Sequence, residues 1–429
     1  MSSHPRHFEP PPTPAEPLAF RVHLDTSLAH LIRRYPPSSL APSGGLYAGL
    51  LSVVYLFHQL SPLLPPDYAA EGKTLDQWTQ AYWAHATTYQ RDLLGDAGVE
   101  GIKVRPWRCG VGDDALVYAA FHVVFAVENR GSKDNDDGYG MIELEALCRA
   151  VLAQVVGVRS AEQERKHGKP ASNEWLYGRA GLLYLLRLIR HTVLSKSDDA
   201  SALDIIDSTI EALVKEILNA PRPWIWHGKA YVGAVHGSAG IIAQLLLSIK
   251  AIAGDDGTER KWVDALEADV EQLLGVQFEG SGNWPSSLPS RDGGGERDKL
   301  VQFCHGSPGV IACLSIIAPH YPHLAARIDR SISLAQKDLF ARGMLIKEPC
   351  LCHGATGNAL ALSGKKEREA FLSFTTEDAV REMIRQGWTK GSDTPEGLYT
   401  GLAGRVWVWA IGATRGFDEG RRFPGFDDV

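Results

Sequence analysis

The chain has 429 residues, 44% hydrophobic and 22% charged, so it is long and apolar enough to bury a sizeable core. A formal charge of −7 and an isoelectric point near 6.1 provide no basic footprint for nucleic acid, which excludes that partner class. No apolar run reaches the roughly 18 residues a bilayer span needs, and no charged-then-apolar leader opens the sequence. A cytoplasmic location is expected.

In chain order, residues 1–19 are Pro-rich, with overlapping Pro-x-x-Pro spacings between 5 and 17. They read as a solvated, flexible tail, with docking on an SH3-type aromatic groove as the partner-binding alternative. From residue 20 to 429 one pattern repeats, which argues for a single domain. Glycine-marked turns begin at Gly49, Gly110, Gly178, Gly237, Gly306, Gly354 and Gly401, 47 to 69 residues apart. Each leads into a run that is apolar nearly all round, such as Leu182–Leu186 or Ile241–Leu247, and hence a buried helix. Between turns lie amphipathic segments, such as Leu203–Leu218 and Lys261–Leu274, that read as surface helices. Gly131–Gly140 and Arg291–Lys299 are Gly/Asp-rich and read as exposed loops. The pattern predicts seven helical hairpins, each an outer helix, a loop and an inner helix, closing on themselves. Glycine suits such loops because it permits positive φ and close backbone approach.

Two turns carry chemistry. Cys304-His305-Gly306 and Cys352-His353-Gly354 occupy the same slot of successive repeats, and equivalent slots of a stacked or closed array lie side by side. Thiolate and imidazole in that pattern point to zinc, which takes such ligands tetrahedrally and keeps one position open in catalytic sites. Cys304, Cys352 and His353 supply three ligands; His305 stands as a possible fourth. The remaining cysteines, Cys109, Cys148, Cys313 and Cys350, are too sparse for a disulfide scaffold and read as packed thiols. The residues before each first glycine are Ala48, Cys109, Tyr177, His236, His305, His353 and Thr400, and they should ring one mouth of the array.

The blocks FCHGSPGVIACL (303–314), LCHGATGNALAL (351–362), GLYTGLAG (397–404), LYGRAGLLYLL (176–186), VGAVHGSAGIIAQLL (232–246), SGNWPSSL (281–288) and RFPGFDD (422–428) resemble the lanthionine synthetase C-like proteins. The resemblance covers residue 20 to the end. It implies an all-α toroid of seven inner and seven outer helices, with zinc on Cys304, Cys352 and His353 and with His305 off the metal. It places the acid/base histidine at His236. It implies thiol addition, with glutathione as co-substrate, to dehydroalanine or dehydrobutyrine in proteins or peptides. Within it, Arg179 is a candidate to steady an enolate or a substrate anion, and Lys347 matches a lysine of the glutathione-binding members. Phe303 and Gln302 stand where the family more often carries tryptophan and histidine, and Ser52 replaces the second glycine of the first repeat. A non-catalytic zinc- and glutathione-binding adaptor is the alternative reading.

Overall fold

The computed structural model of the chain describes residues 6–429 except 10, 11, 13, 15, 130–138, 198, 255, 256, 289–297, 390, 393 and 418–422. Most of the two Gly/Asp-rich stretches expected as loops therefore lies outside the described residues.

The architecture is an α/α toroid. Among the described residues the inner helices are Gly49–Leu60, Asp114–Glu128, Arg179–Lys196, Ser238–Ala251, Ser307–Ile317, Ala355–Ala361 and Leu402–Ala413, one after each glycine turn. The outer layer is Phe20–Arg34, Leu75–Thr87, Tyr139–Val155, Ala200–Asn219, Thr258–Ala265 with Glu267–Gly275, Ala325–Arg342, and Lys365–Ser373 with Glu377–Arg385. Each inner helix packs on its successor, and the seventh packs on both the first inner helix and the first outer one, so the ring is closed. Lys261–Leu274, expected as one helix, is interrupted at the fully buried Leu266, where i→i+3 bonds tighten the turn. Among the described residues the one sheet is a two-residue hairpin, Ala69–Ala70 with Lys73–Thr74, ending in the Thr74–Gln77 capping box that starts Leu75–Thr87.

The recurrent second glycine has a geometric cause. A Cβ at Gly181, Gly240, Gly309 or Gly357 would lie within 1.9 Å of the carbonyl oxygen six residues upstream, at Trp175, Ala234, Phe303 or Leu351. The loop folds back onto the first turn of its helix, and only a residue without a side chain fits. Positive φ matters at Gly49 and Gly306, whereas Gly178, Gly237 and Gly354 have φ between −114° and −128°. Close approach is the commoner reason for glycine here.

Backbone hydrogen bonds stitch neighbouring loops around the ring. Cys304 N donates to Cys352 O (3.1 Å), Cys352 N to Tyr399 O (2.9 Å), Tyr399 N to Tyr47 O (2.9 Å), Leu46 N to Val111 O (2.8 Å), Cys109 N to Tyr177 O (2.8 Å) and Trp175 N to Val235 O (3.0 Å). Gly233 completes the circuit by packing on the Cys304 carbonyl. Residues far apart in sequence thus become fixed neighbours.

The C-terminal segment plugs the ring. The Gly425 carbonyl accepts from Trp175 Nε1 (3.0 Å), and the Phe426 carbonyl accepts from Gln244 Nε2 (2.9 Å). The buried Asp428 carboxylate accepts from the Tyr55 and Tyr184 hydroxyls. Phe423 stacks on Phe303, the residue before Cys304, at 4.2 Å.

Candidate active site

Cys304 and Cys352 meet at one mouth of the toroid, 7% and 3% exposed. Their thiols share a hydrogen bond, which draws Cys304 below the ordinary thiol range; burial opposes this, and the Gln302 amide (Nε2 to Sγ, 3.0 Å) and the Lys347 charge assist it. The same contact, with burial, pushes Cys352 up. The Tyr47 hydroxyl also reaches Cys352. Lys347 Nζ donates to Gln302 Oε1 at 3.1 Å, so its charge reaches Cys304 through one amide. Gln302 therefore takes part in the thiol environment.

His353 and Lys347 line a cavity of about 700 Å³ with Ile346, Glu348, Trp388 and Thr400. Burial and the Lys347 charge hold His353 near a pKa of about 4; burial, the neighbouring His236 and Lys347 do the same for His305. Both imidazoles are neutral at pH 7, the form that can ligate metal. Among the described residues His305 Nδ1 is buried without a partner. No group of three His, Cys, Asp or Glu side chains stands at metal-binding distance among the described residues. Two of the three expected ligands are in contact, while His353 sits in the adjoining cavity wall. A pair of mutually bonded thiols beside a neutral imidazole fits a soft divalent ion by its donor chemistry.

His236 stands at the same mouth, its ring 5.9 Å from that of His305. Its Nδ1 bonds Glu174 Oε2 at 2.7 Å, which leaves Nε2 as the ring nitrogen not engaged by the carboxylate. Glu174 is 1% exposed and also accepts from Leu176 N (2.9 Å), Tyr177 N (2.5 Å) and Ser172 Oγ (3.3 Å), so the carboxylate is rigidly held. Trp226 lies parallel to the imidazole at 3.9 Å, and Tyr177 stacks at 6.5 Å. Tyr177, His236 and His305 are consecutive rim positions, as the repeat implies. Cys109, also placed on that rim, is instead fully buried, and burial pushes its thiol up to about 12.

Arg179 requires correction. Its guanidinium is 4% exposed and donates to Val155 O, Asn173 Oδ1, Ser160 Oγ (2.8 Å) and Glu216 Oε1 (3.4 Å). It ties the third inner helix to the outer layer, and its donors are spent on structure rather than on an enolate or ligand. Buried arginine is held by whatever acceptors surround it, and here those belong to outer elements. Glu174, Trp226, Tyr47 and Gln302 were not singled out as functional from the sequence. The one signal for them was Glu174 itself, a carboxylate set directly before the aromatic-rich Trp175-Leu176-Tyr177 stretch.

Comparison with known proteins bears on the family and the fold. The sequence model of the lanthionine synthetase C-like proteins matches residues 151–409. A Danio rerio protein named glutathione S-transferase LANCL1 is 30% identical over 253 residues, 56% of this chain and 58% of the relative. The Arabidopsis thaliana LanC-like protein GCL1 is 28% identical over 280 residues, 60% of this chain and 58% of the relative. The matches thus take in less than two thirds of either relative. The solved structure of nisin cyclase superposes with a TM-score of 0.61 over 95% of this chain and 97% of that one at 13% identity, a likeness of fold.

Proposed function

From the premise that the chain belongs to the lanthionine synthetase C-like family, we propose that it joins a thiol, glutathione, to dehydroalanine or dehydrobutyrine residues in proteins or peptides, forming a thioether. The observation that carries this reading is the placing of a bonded thiol pair and a carboxylate-held histidine at one mouth of the toroid. Mere binding needs no oriented proton donor, so the arrangement favours an enzyme over an adaptor.

Cys304, Cys352 and His353 would hold zinc, with His353 turning from the cavity wall toward the thiols. Zinc bound there would supply a thiolate at neutral pH by displacing the proton of a coordinated thiol. Lys347 and the cavity it lines would receive the anionic thiol substrate. In the addition, the sulfur lone pair forms a bond to the β-carbon, and the alkene π pair moves toward the α-carbon and carbonyl. His236 Nε2 first takes up the proton that the thiol releases and then delivers it to the α-carbon, so the step is a net addition with no leaving group. Glu174 fixes the tautomer and stabilises the imidazolium that forms between the two transfers. The six cysteines are all unpaired, which suits a reducing compartment such as the cytoplasm. Among the described residues no helix is long and apolar enough to cross a membrane.

The test is to incubate the purified protein with glutathione and a dehydroalanine peptide. An adduct at the summed mass, formed faster than in buffer, supports the reading; background rate with zinc present overturns it.

A further inference from the structure

The segment Arg6–Glu9 does not hang free. It runs antiparallel to Met344–Ile346, with Phe8 N donating to Met344 O (2.7 Å) and Ile346 N donating to Arg6 O (3.1 Å), His7 opposite Leu345. Phe8 packs on the Trp388 ring at 5.6 Å. Ile346 and Trp388 are walls of the cavity that also holds Lys347 and His353. Trp388 remains 46% exposed even with Phe8 against it. Among the described residues two backbone bonds, the Phe8–Trp388 pair and the packing of a partly buried Phe8 on the edge of the core hold the segment at a rim, a set that opens more readily than a buried helix.

We propose that residues 6–9 are a strap over the cavity, and that an extended acceptor peptide displaces it by pairing with the same Met344–Ile346 edge. Backbone pairing to an open edge accepts any sequence, whereas the Trp388 face selects one apolar or unsaturated side chain beside it. The edge leads within one residue to Lys347, so a peptide paired there would present its side chains to the cavity. The identity of the acceptor as a peptide rests on the proposed function; the strap itself does not.

The experiment compares the full chain with a deletion of residues 2–9 and with Phe8→Ala. After chelator treatment, N-ethylmaleimide labelling of each cysteine is followed by peptide mass mapping. Labelling of Cys304 and Cys352 should rise on the order of tenfold in both variants, because a strap held by so few bonds opens far more often once any of them is removed. The buried Cys109, Cys148, Cys313 and Cys350 should not change and serve as internal controls for folding. A fluorescent peptide of residues 1–12 should bind the deletion variant and restore protection, and its Phe8→Ala form should not. Unchanged labelling in both variants, or failure of the peptide to bind, overturns the strap. If the deletion variant misfolds, Phe8→Ala alone decides. Both a dehydroalanine peptide and its alanine analogue should displace the fluorescent peptide. Displacement by neither overturns acceptor pairing at this edge, whereas displacement without any adduct leaves the strap standing and counts against the proposed chemistry.

Discussion

Replacing Glu174 with Gln tests the division of labour at the mouth most directly. In the wild type each carboxylate oxygen faces hydrogen-bond donors only: Oε1 accepts from Tyr177 N and Ser172 Oγ, Oε2 from Leu176 N and His236 Nδ1. Gln supplies one oxygen and one amide NH2, so one position must set a donor against donors. If the NH2 takes the Oε2 place, Nδ1 of His236 becomes an acceptor, the tautomer reverses, and the Leu176 amide loses its partner. If it takes the Oε1 place, the Tyr177 amide is orphaned instead. Either way a buried backbone N–H is left unpaired, at about 1–3 kcal/mol, and the negative charge that stabilises an imidazolium is gone. The expected outcome for Glu174→Gln is adduct formation slower by about 10² to 10⁴-fold, the usual worth of a positioned acid or base, with zinc content and glutathione affinity close to wild type. His236→Ala should cost a similar factor, and the double variant should be no slower than the worse single one because the two act as a unit. Mass-detected adduct rates with metal analysis and glutathione titration decide it. Adduct formation at the wild-type rate in a folded, zinc-loaded Glu174→Gln protein would refute the role given to the pair.

Cys304→Ala should lose most bound zinc while Cys350→Ala, outside the proposed ligand set, retains it; equal loss in elemental analysis contradicts that set. Gly309→Ala would place a Cβ 1.9 Å from the Phe303 carbonyl and should lower both the unfolding midpoint and zinc content, whereas Gly254→Ala, with nothing within 4 Å among the described residues, should change neither. Deleting residues 395–429 removes the last inner helix and the central plug and should abolish soluble, monomeric folding; a cooperatively melting deletion product would speak against ring closure. In chelator-treated protein, His305 and His353 are held near a pKa of about 4 against an ordinary 6.5, so the unfolded chain takes up protons first as pH falls. Stability should therefore be intact above pH 6.5 and decline from there to about pH 4, and His305→Gln should flatten that slope in denaturant titrations.

The repeat made much of this protein legible in one dimension. Glycine turns followed by all-round apolar runs specify buried helices, and seven of them demand a closed layer, because each run needs a neighbour on both sides. The Cys304 and Cys352 pairing was readable for the same reason: the same slot of adjacent repeats is one hydrogen bond away, as the Cys304 N to Cys352 O bond shows. What lies across repeats in different slots was not readable. Glu174 reaches His236 over 62 positions because the Trp175 amide bonds the Val235 carbonyl and sets two unrelated loop stretches in register. Lys347 is bridged to Cys304 by Gln302, which the sequence marked only as a departure from the family's histidine. Arg179 sits in the expected block but its long side chain turns to acceptors of the outer layer, and side-chain direction is decided by the partners packing provides. Likewise the Pro-rich composition of the tail is silent about Phe8, whose place is set by an open backbone edge and an exposed Trp388 far along the chain. Sequence periodicity determines which helices must be buried and in what order they close; the bonds made between their loops, which depend on register and rotamer in three dimensions, were decided only by the fold.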